Sequence, residues 1–180
     1  RENRIHDCGH LVSTNRDHGV YVDAADDTQI IDNVIYANVD RGVQLYPDAQ
    51  GTVVRGNIID GNGEGIIFSG DNGVPSSNTV VERNLITNAA IRTNVESWYP
   101  SGTPAGQNNV VRDNCIYGGA RGTIDSSSGG FTTSGNLIID PRYVDRSAKD
   151  FRLAASSPCA PLMSSSHAPA GPGWEPPTAA

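Results

Sequence analysis

Apolar residues fall along this chain in short bursts, each opened by an asparagine or a glycine. An Asn followed two residues later by Ile occurs six times: Asn3-Arg4-Ile5, Asn33-Val34-Ile35, Asn57-Ile58-Ile59, Asn84-Leu85-Ile86, Asn114-Cys115-Ile116 and Asn136-Leu137-Ile138. Successive asparagines lie 30, 24, 27, 30 and 22 residues apart. A β-branched run stands before most of them, in TQIID, TVVRG, TVVER and NVVRD. In the regular copies a glycine and a strand of period-two alternation follow: Gly42-Val43-Gln44-Leu45, Gly65-Ile66-Ile67-Phe68 and, more weakly, Gly122-Thr123-Ile124. Gly19-Val20-Tyr21-Val22 fills the same slot after a longer loop, and Arg92-Thr93-Asn94-Val95 takes it in the fourth copy without a glycine. Alternation over three to five residues predicts strands.

A period of 22 to 30 residues built from two or three short strands predicts a parallel β-solenoid. One coil cannot bury its apolar side alone, so each strand pairs with its equivalents above and below, about 4.8 Å away. The inward isoleucines of Asn-x-Ile then form one column, Ile5, Ile35, Ile59, Ile86, Ile116 and Ile138. Val20/Val22, Val43/Leu45 and Ile66/Phe68 form a second. The asparagines stack at a bend, where an Asn tolerates left-handed geometry and its amide bonds to backbone and to the next Asn. They read as scaffold rather than as ligands.

The repeated Asn-x-Ile with Gly-Val/Ile strands resembles the right-handed parallel β-helix repeats of the pectate-lyase-like superfamily. The segment DPRYVDRSAKDFRLAASSPC, Asp140 to Cys159, looks like the piece that closes many secreted bacterial β-helix proteins. The resemblance implies an all-β, right-handed β-helix of about six coils over residues 1–162 and a secreted, extracellular protein; handedness also follows the general preference for right-handed crossovers. It does not select one function, because the superfamily includes lyases, hydrolases, epimerases, tailspikes and adhesins. Asn3 is already in register, so further N-terminal coils of a parent chain are expected to cover the first edge. Phe151-Arg152-Leu153 is expected to cover the last coil, and residues 163–180, rich in Ser, Pro and Ala, to form a flexible tail.

Composition narrows the partners. A formal charge of −7 argues against nucleic acid, which needs clustered Lys and Arg. No apolar run approaches the roughly 20 residues of a membrane span. Twenty glycines and 11 prolines disfavour long helices. Three cysteines are too few for a disulfide framework. Cys115 with Cys159 is the pair to test, if the C-terminal segment folds back; three unbridged small side chains is the alternative.

Aligning the coils on the glycine gives the outward columns. Before it stand His18, Arg41, Glu64, Ile91 and Arg121; two after it come Tyr21, Gln44, Ile67, Asn94 and Ile124; four after it come Asp23, Tyr46, Ser69, Glu96 and Ser126. Asp48 follows closely, so eight polar or aromatic side chains of three coils share one face, within about 10–15 Å. Insertions at His10–Asp17, Gly70–Ser77 and Ser97–Asn108 flank it, and Trp98 is either a sugar-stacking ring or a loop anchor.

This collection suits chemistry on an acidic polysaccharide. Removing the proton α to a uronate carboxylate needs a cation to neutralise that carboxylate, here Arg41 or a metal, a base such as His18 or ionised Tyr21, and an acid for the leaving oxygen. His18, Tyr21, Asp23 and Arg41 are therefore the catalytic candidates of a polysaccharide lyase or uronan epimerase. Gln44, Tyr46, Asp48, Glu64, Glu96 and Trp98 are the substrate-binding candidates. A hydrolase would instead pair Asp23 with Asp48 or with Glu64. The turns Asp26-Asp27 and Asp71-Asn72 offer oxygens to Ca²⁺. The alternative of another class is a non-catalytic module for glycan binding or surface attachment.

Overall fold

The computed structural model describes residues 1–10 and 13–172; Leu11 and Val12 of the His10–Asp17 insertion, and residues 173–180 of the expected tail, lie outside them. Among the described residues there are strands, turns and bends but no helix. The chain winds as a right-handed parallel β-helix with three long sheets. The first holds the six Asn-x-Ile strands: Arg4–His6, Val34–Tyr36, Ile58–Asp60, Leu85–Thr87, Cys115–Tyr117 and Leu137–Ile138. The second stacks Val20–Val22, Arg41–Leu45, Glu64–Asp71, Val95–Trp98 and Ile124–Asp125. The third stacks Gln29–Ile31, Val53–Arg55, Val80–Glu82, Asn109–Arg112 and Phe131–Ser134, the β-branched runs that precede each Asn. Six strands in one sheet against five in the others make about five full turns.

The inward columns are those the alternation predicts. Ile5, Ile35, Ile59, Ile86, Ile116 and Ile138 are direct register partners. The four middle members are buried in one interior cluster with Val43, Leu45, Ile66, Phe68, Val54, Val81 and Val111. Each such side chain contributes about 1.5–3 kcal/mol on burial, which no single coil could collect.

The asparagine column carries the polar side of the same stacking. The backbone N and the side-chain Nδ2 of Asn33 both donate to Oδ1 of Asn57, at 2.9 and 3.0 Å. Asn57 does the same to Asn84 and Asn84 to Asn114. Nδ2 of Asn84 also donates to the carbonyls of Val54 and Glu82. Left-handed backbone belongs not to these asparagines but to the residue before each: Glu2, Asp32, Gly56, Arg83, Asp113 and Gly135 all have φ between 53° and 68°. A second, shorter column that the motif search missed runs through Asn38 and Asn62, with Cys8 N donating to Asn38 Oδ1. The corner glycines are steric: a Cβ at Gly65 would stand 2.1 Å from the carbonyl oxygen of Asn94 on the next coil.

The C-terminal segment lies along the flank rather than over the last coil. Phe151, Leu153, Leu162, Met163, Ala168 and Ala170 cover the outer side chains Val34, Tyr36, Ile58 and Leu85 of the first sheet. Cys159 is bridged to Cys115 there. Ile138, on the edge strand of its sheet among the described residues, is 56% exposed instead. The described part of the Ser/Pro/Ala-rich stretch, up to residue 172, lies against this flank. Arg4 Nη1 donates to the carbonyls of Pro169 and Gly171, at 2.7 and 2.8 Å, and Ser166 Oγ donates to that of Gly56. Small residues suit this strap because they fit closely against a flat sheet.

Replacing Asn84 by Ala removes the acceptor for two donors of Asn57 and leaves buried groups unpaired. A loss of about 2–4 kcal/mol is expected, measured by urea denaturation against wild type.

Candidate functional site

The second sheet carries the candidate residues, and its register revises the columns. Two extra residues in the bend at Ala90–Arg92 place Asn94, not Arg92, opposite Gly65. The true outward columns are therefore His18, Arg41, Glu64 and Thr93; then Tyr21, Gln44, Ile67, Glu96 and Asp125; then Asp23, Tyr46, Ser69 and Trp98. Glu96 moves beside the Gln44 row, Trp98 joins the Tyr46 row, and Ile124 points inward with Val95. Trp98 ends a strand and is 52% exposed, so it is a groove residue and not a loop anchor.

A hollow of about 630 Å³ opens on this face. It is lined by His18, Tyr21, Arg41, Gln44, Tyr46, Ile67, Ser69 and Trp98, with Asn15 and Arg16 contributed by the first insertion. Tyr21 and Tyr46 stack with centroids 6.4 Å apart, and His18 meets the edge of Tyr21 at 5.6 Å. Asn15 and Arg16 carry no strand pattern, and sequence reading passed over them. The insertion is held down by Asp40, which accepts from Ser13 Oγ and from the backbone N of Asp17, the latter at 2.8 Å. A second hollow of about 230 Å³ adjoins the first through Asn15 and Arg41, and includes Glu64, Arg92 and Arg121.

Arg41 and Glu64 meet in the interior, Nε to Oε2 at 2.9 Å. Arg41 Nη1 also donates to Gln44 Oε1, at 3.1 Å, and to Asn15 Oδ1. Burial pushes the Glu64 carboxyl up to about 8, against the pull of Arg41 and with a further push from Glu96. Glu64 thus carries a proton at neutral pH, and Arg41 Nε donates to Oε2 whichever oxygen holds it. Glu64 Oε1 is buried without a partner. Glu96 is held by Arg92 Nη1 at 3.0 Å and by the Thr93 hydroxyl.

Burial, then the charge of Arg41, lower the His18 pKa, outweighing Asp40 and Asp17. His18 is therefore a neutral imidazole at pH 7. Tyr21 is raised by burial and by Asp23 and Asp71, so the ionised Tyr21 expected as a base is replaced by a phenol able to donate. Burial and a hydrogen bond to Asp71 raise Tyr46 as well.

Other candidates fall outside the hollows. Asp23 is exposed beyond the strand end, and Asp48 accepts from Gln50 Nε2 at 2.9 Å in a left-handed turn. Neither is among the residues that line the two hollows. No three His, Cys, Asp or Glu side chains among the described residues form a metal-holding group, at Asp26-Asp27, at Asp71-Asn72 or elsewhere, which leaves the Ca²⁺ expectation without support. No helix of the described residues is long and apolar enough to cross a membrane.

Fold and groove together define a β-helix with a lateral hollow on one sheet. Residues 2–103 match the profile of the family described as periplasmic copper-binding protein (NosD), and the chain belongs to that family. Comparison with curated proteins and with solved structures returns no significant match. The family description names copper, whose preferred donors are thiolate, thioether and imidazole. Here Cys8 is the free cysteine, Met163 packs on the flank, His6 stacks on Tyr36, His18 lies in the groove and His167 stands by Asp32. Cys8 stands two residues from His6 and two from His10 in the chain, but no three His, Cys, Asp or Glu side chains of the described residues come together as a group that could hold a metal.

Glu64 gives a pH signature of stability. Its folded value of about 8 lies above the ordinary 4.5, so the native state holds the proton more tightly. Its contribution is complete below about pH 4.5 and is lost as pH rises through 8. The melting temperature of wild type is expected to fall relative to Glu64→Gln across that window, read by thermal scans of both proteins.

Proposed function

We propose that this β-helix acts outside the cytoplasm on an acidic polysaccharide held in the larger hollow. The chemistry is proton abstraction α to a uronate carboxylate, the step that lyases and epimerases share. The observation that carries the reading is the pairing of a neutral imidazole with a protonated phenol, His18 and Tyr21, 5.6 Å apart in one open groove. A neutral imidazole accepts a proton and a phenol supplies one to the leaving oxygen. Tyr46 and Trp98 offer ring faces to the sugar, and Gln44 and Ser69 offer polar contacts between them. Asp23 acts through its field on Tyr21 rather than by contact.

Arg41 also supports a second reading, a glycan-binding module without turnover. Its Nε and Nη1 are committed to Glu64, Gln44 and Asn15, so within this network Arg41 offers a glycan anion its Nη2 as a fixed binding point. Uronans, heparinoids and neutral glycans assayed for unsaturated products, for epimerised residues and for reducing ends separate the readings. In the catalytic reading His18→Ala lowers kcat by about 100-fold or more, and the acid limb of wild-type kcat/KM lies below pH 6.5. Reducing ends without unsaturation would replace it by hydrolysis. Binding abolished by Trp98→Ala, with no product formed, would leave the module.

A further inference from the structure

We propose that the smaller hollow is a subsite for the anionic group, carboxylate or sulfate, of a sugar unit adjoining the one in the larger hollow. The inference rests on the reading of the larger hollow as a glycan groove, with which the smaller one shares Asn15 and Arg41.

Three arginines line the smaller hollow, Arg41, Arg92 and Arg121. Arg92 and Arg121 sit on successive coils, joined by a backbone hydrogen bond from Arg121 N to Arg92 O of 3.2 Å. Like charges on neighbouring coils repel. Arg92 is balanced by Glu96, whereas Arg121 is exposed and has no ion pair among the described residues. An anion between them would offset that repulsion, and guanidinium forks match carboxylate and sulfate oxygens in pairs.

The second observation is Glu64, which lines this hollow with only 1% of its surface exposed and leaves Oε1 without a partner. A carboxyl oxygen bearing a proton needs an acceptor, and an anion supplies one. The groups facing Glu64 agree with this: Arg41 from the coil before, Glu96 and Arg92 from the coil after, and Asp40 beside Arg41. With the proton on Glu64, three guanidiniums face the two carboxylates Asp40 and Glu96, so one positive charge is left for the ligand.

The test is equilibrium binding, at fixed salt, of uronate, sulfated and neutral trisaccharides to wild type, Arg121→Ala, Glu64→Gln and Trp98→Ala. Arg121→Ala is expected to weaken an acidic trisaccharide by about tenfold and leave the neutral one unchanged. The uronate and sulfated arms show which anion is taken. Wild-type affinity for the acidic ligand should decline as pH rises through about 8, and Glu64→Gln should remove that decline. Unchanged acidic affinity in Arg121→Ala, or equal weakening of acidic and neutral ligands, overturns the subsite while a Trp98→Ala defect keeps the groove. No binding by any trisaccharide, or binding that Trp98→Ala leaves intact, overturns the groove reading and the subsite with it.

Discussion

Every coil of this protein turns a corner inside the molecule, and a corner strands backbone N–H groups that no sheet can pair. The buried asparagine amide resolves this. In Asn84 the Oδ1 accepts two donors from the coil before, while the Nδ2 reaches a carbonyl on its own coil, another on the coil before and the Oδ1 of the next asparagine. Because unpaired buried polar groups are costly, a shift of one coil against another would break several bonds at once. The column therefore fixes register, and the isoleucines beside it fill the interior that register creates. Once that is fixed, the lengths between asparagines are free to vary, and the site is built from that freedom.

The same division decides what the sequence discloses. Asn-x-Ile and the alternating Gly-Val/Ile strands are local patterns imposed by stacking, and they predict the columns that the structure contains. The bend at Ala90–Arg92 is not so constrained. Its two additional residues leave no mark in the pattern, and they displace Glu96 and Trp98 by a full outward step. Asn15 and Arg16 belong to an insertion placed by Asp40 and Arg41 from another coil, a contact invisible to any periodicity. The left-handed residue before each ladder Asn is only partly legible: Gly56 and Gly135, and to a lesser degree Asp32 and Asp113, favour positive φ, whereas Glu2 and Arg83 do not advertise it. Of the candidates, His18, Tyr21, Arg41, Gln44, Tyr46 and Trp98 converge on the larger hollow, and Glu64 faces the smaller one. Asp23, Asp48 and Glu96 do not line either.

Within the groove, burial acts in opposite directions on neighbouring groups. It strips the proton from His18 and keeps one on Glu64, both of which neighbour Arg41. One arginine thus stands between a base and an acid that are both uncharged at neutral pH. Low local polarity favours neutral forms on both sides, and the guanidinium is the charge left standing. A face that reads as crowded with charge in the sequence is electrically quieter once folded.

The strap along the flank changes how the whole stack comes apart. A solenoid held only by nearest neighbours behaves as a one-dimensional array, fraying from its ends coil by coil. Here contacts join Arg4 to Gly171, Gly56 to Ser166 and Cys115 to Cys159, so one strand of chain is fastened to the first, third and fifth copies of the repeat. Terminal coils cannot peel away without lifting the strap from the coils between them. The splint thus links coils that would otherwise touch only their neighbours.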